Sequence, residues 1–427
     1  MGTKTPNRVV VTGYGAITNL GHDAASTWAG MRAGESGIRP IEAVDAFEGT
    51  DLSEWPVRIG GQVLGWTPDA FLEFREAKRL DRCTLLGLGA AVEAVAHSGW
   101  NPGETDPTRC GVIVGSGIGG IRTIEEGLHT LNTRGPTRIS PFTVPRLMVN
   151  AVTGNVSIRF DLQGPSSAHA TACASSGHAF GDAIGYIRRG HTDLMVVGGA
   201  EAAITPLCLG AFMTMKALST RNDDPTHASR PFDQGRDGFL LAEGAAMYTL
   251  ESEAHAKARG ATIYGELVGF GNSCDAGHIT APHAEGRGAT NSMKWALEDA
   301  GLNPDDIDYI NAHGTSTSLG DSAEIHAVRN IFGDRAKKAP GSVLMSSTKS
   351  MHGHGLGASG AIEMLACLHA VTDGVVAPTV NLDNPDEGIE IDLVPHEARE
   401  RPIRYVMNNT FGFGGHNVTL ILGRYDG

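Results

Sequence analysis

Aromatic residues are scarce in this chain: Phe, Trp and Tyr together make up 6% of its 427 residues. The core must rest on aliphatic and small side chains, and a 41% hydrophobic content is ample for that. Long apolar runs are missing too. None approaches the roughly 18 residues of a membrane-crossing helix, so no membrane partner is expected. Positive charge is in short supply: 34 Lys and Arg stand against 48 Asp and Glu, a net charge of −14. With no basic stripe, no nucleic-acid partner is expected, and an acidic partner would need a local cationic patch. The opening MGTKTPNRVVVTGYG holds no apolar core of signal-peptide length. Its Met1 and Gly2 do not start a lipidation motif, because Pro6 stands where Ser or Thr is needed. The six cysteines, Cys83, Cys110, Cys173, Cys208, Cys274 and Cys367, show no metal or redox spacing. Reduced thiols and a cytoplasmic location are expected.

Glycine is what the chain has in abundance, 57 residues gathered in short clusters that imply close backbone packing and tight turns. Between them strands and helices alternate, the signature of a layered α/β fold. The pattern predicts strands over Arg8–Tyr14, Cys110–Gly115, Asp193–Gly199, Ile263–Phe270, Tyr309–Ala312, Tyr405–Thr410 and Val418–Leu422. It predicts helices over Leu80–His97, Gly286–Gly301 and Ser322–Phe332. The polar stretch Glu251–Gly260 reads as a helical join between two halves, residues 1–255 and 256–427. The halves hold similar numbers of elements, as a duplication would give, although no residue-level repeat is visible.

The segment SSAHATACASSGHAFGDAIGYI is the most informative. A strand over Ser167–Thr171 and a small-residue helix over Ala174–Ile187 place Cys173 at a strand-to-helix turn. Unpaired N–H groups and the helix dipole there stabilise a thiolate and can bind an oxyanion. The alternative is a small buried hydrophobe. Two distant loops supply imidazoles. His313 follows a strand in NAHGTST, beside the hydroxyls of Thr315 and Thr317. His354 follows Ser346 and Ser347 in SSTKSMHGHGLGASGA, five residues after Lys349. A neutral imidazole can donate to a thioester carbonyl as charge builds there, so Cys with two His suits thiol-based acyl chemistry. His352 and His354 could instead be a metal pair, but zinc needs further ligands and no second Cys/His cluster is near, so no metal and no cofactor is expected. His352 reads as a loop residue, and His22, His191, His227 and His396 as surface histidines. In NNTFGFGGHN, Phe413 sits among glycines, either as a gate or as part of a plain hairpin turn. The Gly-rich GSGIGG opens no clear dinucleotide unit.

Taken in order, TACASS, NAHGTST, TKSMHGHGLGASG and FGFGG closely resemble the β-ketoacyl-[acyl-carrier-protein] synthases, most nearly the type II elongating enzymes of bacterial fatty-acid synthesis. The resemblance runs from VVVTGYGAIT to the last strand and takes in ALSTRNDDPTHASRPFDQGRDGF and CDAGHITAP. It implies a thiolase-like fold, two similar halves in a five-layer αβαβα arrangement, and a homodimer. It implies that Cys173 accepts an acyl group from acyl carrier protein and that His313 and His354 polarise a malonyl thioester during loss of carbon dioxide. The N–H groups of Cys173 and Phe413 would form the oxyanion hole, and Lys349 would pair with Glu324. Thr315 and Thr317 would meet the pantetheine arm, Ile118 would line the acyl pocket, and Phe413, flanked by Gly412 and Gly414, would gate it. Asp275, His278 and Thr280 match a second mobile, substrate-facing loop. Lys78, Arg79, Arg82 and Lys216 are the candidate cations for an acidic carrier protein. The chain departs from the family in having His416 and His352 where Thr is usual, which bears on loop opening and chain-length preference. A polyketide ketosynthase shares the same machinery. A degradative thiolase would use a second catalytic Cys, and Cys367 lies inside a predicted helix. A non-catalytic chain-length factor would lack the nucleophile that is present here as Cys173.

Overall fold

A computed structural model describes residues 6–43 and 45–427, so the lipidation reading at Met1 and Gly2 falls outside the described residues. The framework is a ten-stranded mixed sheet. Its strands are β1 (Val9–Thr18), β2 (Cys110–Gly115), β3 (Ser166–His169), β4 (Leu194–Glu201), β5 (Gly244–Ser252), β6 (Gly265–Cys274), β7 (Tyr309–Asn311), β8 (Leu344–Ser346), β9 (Tyr405–Gly412) and β10 (His416–Gly423). They lie in the order β8-β7-β9-β10-β6-β1-β5-β4-β2-β3. The two halves of this sheet meet only through a short ladder, Val10 with Glu266 and Val11 with Gly265.

Each half has the same topology. In both, the third, second and fourth strands run parallel, and the fifth is antiparallel to its neighbours on either side, the fourth and the first. Among the helices that flank the sheet are α1 (Arg82–Ser98), α2 (Ser175–Arg188), α3 (Arg287–Ala300), α4 (Ser318–Phe332) and α5 (Ser359–Asp373). Alternation along the strands sorts side chains to two faces. Met195 and Val197 of β4 join α2 and α5 in one core cluster, while Leu194 and Val196 join α1 in another. In the second half, Tyr309 and Val406 face α5, whereas Ile310 and Met407 face α3 and α4. Helices therefore cover the outer faces, and α2 and α5 form a shared inner layer, with the Ala361 amide donating to Ser176 Oγ at 3.1 Å. This is the thiolase-like layering.

One local match between the halves is visible at residue level. Gly13-Tyr14-Gly15 on β1 and Gly269-Phe270-Gly271 on β6 are equivalent in the two halves. A Cβ at Gly13 would lie 2.2 Å from Ala94 O of α1, and one at the matching Gly269 would lie 2.4 Å from Ala296 O of α3. Only glycine admits so close a helix. These glycines stay within their strands, so β1 and β6 run past the ends predicted at Tyr14 and Phe270. Helix α1 starts later than predicted because Asp81 caps it, accepting from the Cys83 amide at 3.0 Å. Glu251–Gly260 is not simply a polar join. Glu251 lies within β5, fully buried and held by Arg259 and His255, and the helix after the strand is only Glu253–Ala258. No helix among the described residues is long and apolar enough to cross a membrane.

Candidate active site

Cys173 lies in a tight turn, Ala172–Ala174, that leads directly into α2. Ala172 holds φ +50°, a left-handed conformation that non-glycine residues rarely adopt. Lys216 at +55° and Leu356 at +44° share it, so three residues in this conformation line one cavity. From the second half, His313 follows β7, and His354 sits on the turn before α5. The Cys173 sulfur and one nitrogen from each imidazole all lie within 4.8 Å of one another. His354 Nε2 is 2.9 Å from Cys173 Sγ, and its Nδ1 is 2.8 Å from Ser359 Oγ, which orients the ring. The His313 and His354 ring centroids are 5.4 Å apart and nearly perpendicular.

Burial dominates the electrostatics. It drives the His313 and His354 pKa values well below the ordinary histidine range, and the charge of Lys349 adds to this, so both rings are neutral. It also pushes the Cys173 thiol up to about 12, against the Lys349 charge and the Phe413 backbone N–H. The resting sulfur is therefore a thiol, not the helix-stabilised thiolate expected from its position. Taking a side chain that is 7% exposed out of water outweighs the favourable dipole.

The pairing of Lys349 with Glu324 is corrected. Lys349 is buried and pairs with Glu363 of α5, while its Nζ lies 3.5 Å from His313 Nδ1. Glu324 on α4 instead accepts the His313 amide at 2.9 Å and the Gly314 amide at 2.8 Å, with Asn409 Nδ2 at 3.2 Å. It anchors the loop by its backbone, and its carboxyl is raised to about 7 by burial. His352 is likewise not a loop residue. It ends the short helix Lys349–His352, fully buried, with Nε2 3.1 Å from Thr348 Oγ1. Burial and Lys349 lower it to about 3.

A cavity of about 450 Å³ opens onto Cys173, His313 and His354. Ile118, Thr280, Thr315, Thr317, Gly412 and Phe413 line it, and so does Asp275, whose carboxylate accepts from the His283 amide and Asn417 Nδ2. Thr315 and Thr317 hydroxyls are 3.0 Å apart. His278 and Gly414 do not line it. His278 is exposed and its Nδ1 accepts from the Thr280 and Ala281 amides, while the Gly414 amide donates to Ile279 O at 2.7 Å. That bond ties the Phe413 loop to the second loop. Phe413 sits in the hairpin between β9 and β10, so the turn and the pocket wall are one feature. Phe212, Phe239 and Leu356 are further apolar walls; Phe239 and Leu356 lie within the quoted motifs without being singled out there, and Phe212 lies in none.

Of the cations, Lys78 and Arg79 are exposed, stacked over Phe74 and Phe142. Lys216 is exposed at the cavity mouth. Arg82 is not part of a surface patch: it is mostly buried and bonded to Glu243 at 2.7 Å.

A buried thiol and two neutral imidazoles facing one largely apolar cavity are the groups that thioester condensation needs. The β-ketoacyl synthase N-terminal domain matches residues 6–256, and the C-terminal domain matches residues 264–383. The chain belongs to the β-ketoacyl synthase family, and it is a condensing acyltransferase. It is similar to the 3-oxoacyl-[acyl-carrier-protein] synthase 2 of Coxiella burnetii, 46% identical over 98% of each chain. Among solved structures it resembles the ishigamide ketosynthase/chain length factor, with a TM-score of 0.90, 32% identity, and coverage of 98% of this chain and 100% of that one. It also resembles a chain from a type II polyketide acyl carrier protein in complex with its ketosynthase bound to the hexaketide. There the TM-score is 0.89 and the identity 31%, covering 99% of this chain and 100% of that one.

Proposed function

We propose that this chain is a 3-oxoacyl-[acyl-carrier-protein] synthase that elongates fatty acyl chains by two carbons. The observation that carries this is the convergence of Cys173 Sγ with both imidazoles within 4.8 Å. In the first half-reaction the Cys173 sulfur attacks an acyl thioester of the carrier protein. His354 Nε2, 2.9 Å away, takes the thiol proton and passes it to the departing carrier thiolate, leaving acyl-Cys173. Malonyl carrier protein then binds, and its thioester oxygen meets the two imidazoles. Loss of carbon dioxide leaves an enolate stabilised by the N–H of His313 and by that of His354, which donates from Nε2 in the tautomer whose Nδ1 accepts from the Ser359 hydroxyl. The enolate carbon attacks the acyl-Cys173 carbonyl. The tetrahedral oxyanion faces the N–H groups of Cys173 and Phe413, and its collapse expels the sulfur and releases the 3-oxoacyl thioester. Thr315 and Thr317 contact the pantetheine arm, and Phe413 gates the cavity.

Carrier protein is the partner, met by Lys78, Arg79 and Lys216. Two copies pair through β3, an edge strand bonded only to β2, near the exposed apolar Leu128, Val144 and Ile158. The work is cytoplasmic, and the halves divide at residues 255 and 256. Fatty-acid elongation is favoured over polyketide synthesis because the 3-oxoacyl-[acyl-carrier-protein] synthase 2 relative is 46% identical and the polyketide ketosynthase 31%. The test is an elongation assay with malonyl carrier protein and acyl primers of graded length. Two-carbon products that require Cys173 support the reading, and decarboxylation without elongation of any primer contradicts it.

A further inference from the structure

Glu201, the last residue of β4, is fully buried and is neither a reacting group nor one of the supports of Cys173, His313 and His354. Both carboxylate oxygens are occupied. Oε1 accepts from Ser116 Oγ at 3.0 Å and the Ile118 amide at 3.3 Å. Oε2 accepts from the Gly117 amide at 2.6 Å and the Gly357 amide at 3.1 Å. Four donors on two oxygens suit the ionised form, which burial alone opposes. These donors come from two segments far apart in sequence. The Ser116–Ile118 turn carries Ile118, and the Leu356–Gly357 turn follows His354; Gly117, Ile118 and Leu356 all line the cavity with Cys173. The turns abut so closely that a Cβ on Gly357 would lie 2.2 Å from the Gly117 nitrogen.

We propose that Glu201 is a positioning residue for condensation, clamping the two turns that form the acyl-pocket wall and setting the electrostatic environment of Cys173. This rests on the condensing function but is separable from it. The Glu201 charge is one of the influences that raise the Cys173 thiol. It adds to burial, the larger cause, in keeping the sulfur protonated, while the clamp keeps Ile118 and Leu356 at a fixed separation.

The test uses E201Q and S116A in the full chain. In E201Q the amide NH2 must face one of the two donor pairs, so one turn is released. We expect kcat/KM for the longest accepted primer to fall about tenfold or more, and short primers to be less affected. The pH midpoint for iodoacetamide alkylation at Cys173, read by peptide mass spectrometry, moves down. That readout needs no turnover, so it stands whether or not elongation is the true activity. S116A removes one donor and keeps the charge, so its length profile shifts in the same direction by less and its alkylation midpoint stays put. A folded E201Q with wild-type length profile and midpoint overturns the proposal. A shifted profile with an unmoved midpoint overturns its electrostatic half. If E201Q does not fold, S116A decides: an altered length profile supports the clamp, and a wild-type profile overturns it.

Discussion

The ion pair of Lys349 with Glu363 offers a demanding test, because it places two opposite charges in the core beside the reacting groups. Lys349 is 1% exposed and Glu363 0%. Replacing Glu363 by Gln strands an ammonium where water cannot reach it. Breaking a buried pair in this way costs about 3–5 kcal/mol. Replacing Lys349 by Met is milder, because burial already raises the Glu363 carboxyl and so eases its protonation. The double variant K349M/E363Q removes both charges, and its stability should return to within about 1–2 kcal/mol of the parent. Activity should not return with it. The Lys349 charge lies 3.5 Å from His313 Nδ1 and is the largest influence pulling the Cys173 thiol downward, so without it acylation slows. Urea unfolding of the four proteins gives the cycle, and elongation assays give the activity. An E363Q protein as stable as the parent, or a double variant carrying the summed loss of the singles, would refute this account of the core.

Further predictions concern the division of labour and the pH response. C173Q should still decarboxylate malonyl carrier protein while elongation stops, because the His pair alone meets the enolate charge; a folded variant that has lost decarboxylation contradicts this. His352 is neutral in the folded protein and lowered to about 3, so the unfolded chain binds an extra proton below its ordinary value of 6.5. That stabilisation is lost as pH falls. H352T should therefore gain about 1.6 kcal/mol on the parent between pH 6.5 and pH 5, measured by urea unfolding at each pH. Parallel pH profiles would show that the ring is not held neutral. Cys274 is the one exposed cysteine among the described residues, whereas Cys173 is buried and raised to about 12. Plain iodoacetamide near neutral pH should label Cys274 first, and an acyl-shaped electrophile should favour Cys173; mass spectrometry of the cysteine peptides settles the order.

The reacting residues are legible in the sequence because each announces itself locally. Cys173, His313 and His354 sit at strand ends among small and glycine residues, and that pattern survives without knowledge of the fold. Their supports are not legible, because they act across space. Glu363 lies on the apolar helix α5, 14 residues beyond Lys349, and nothing near it in sequence marks it as a counter-charge. Glu324 stands out in the sequence, but its bonds go to backbone amides, which sequence patterns do not display. Arg82 looks like surface charge because it adjoins Lys78 and Arg79, yet it sits at the start of α1, turned inward to Glu243. The paired Gly-aromatic-Gly segments do not register as a repeat in the sequence because only the matching helix contacts give them meaning.

The central claim is that an acyl group rides on Cys173 before the new bond forms. Incubating the protein with acyl carrier protein bearing an acyl chain, and weighing the Cys173 peptide, tests it most directly. The account predicts the acyl mass on that peptide and its disappearance, with appearance of the 3-oxoacyl product, once malonyl carrier protein is added. Elongation without acylation of Cys173, or an acyl mass there that malonyl carrier protein never discharges, would contradict it.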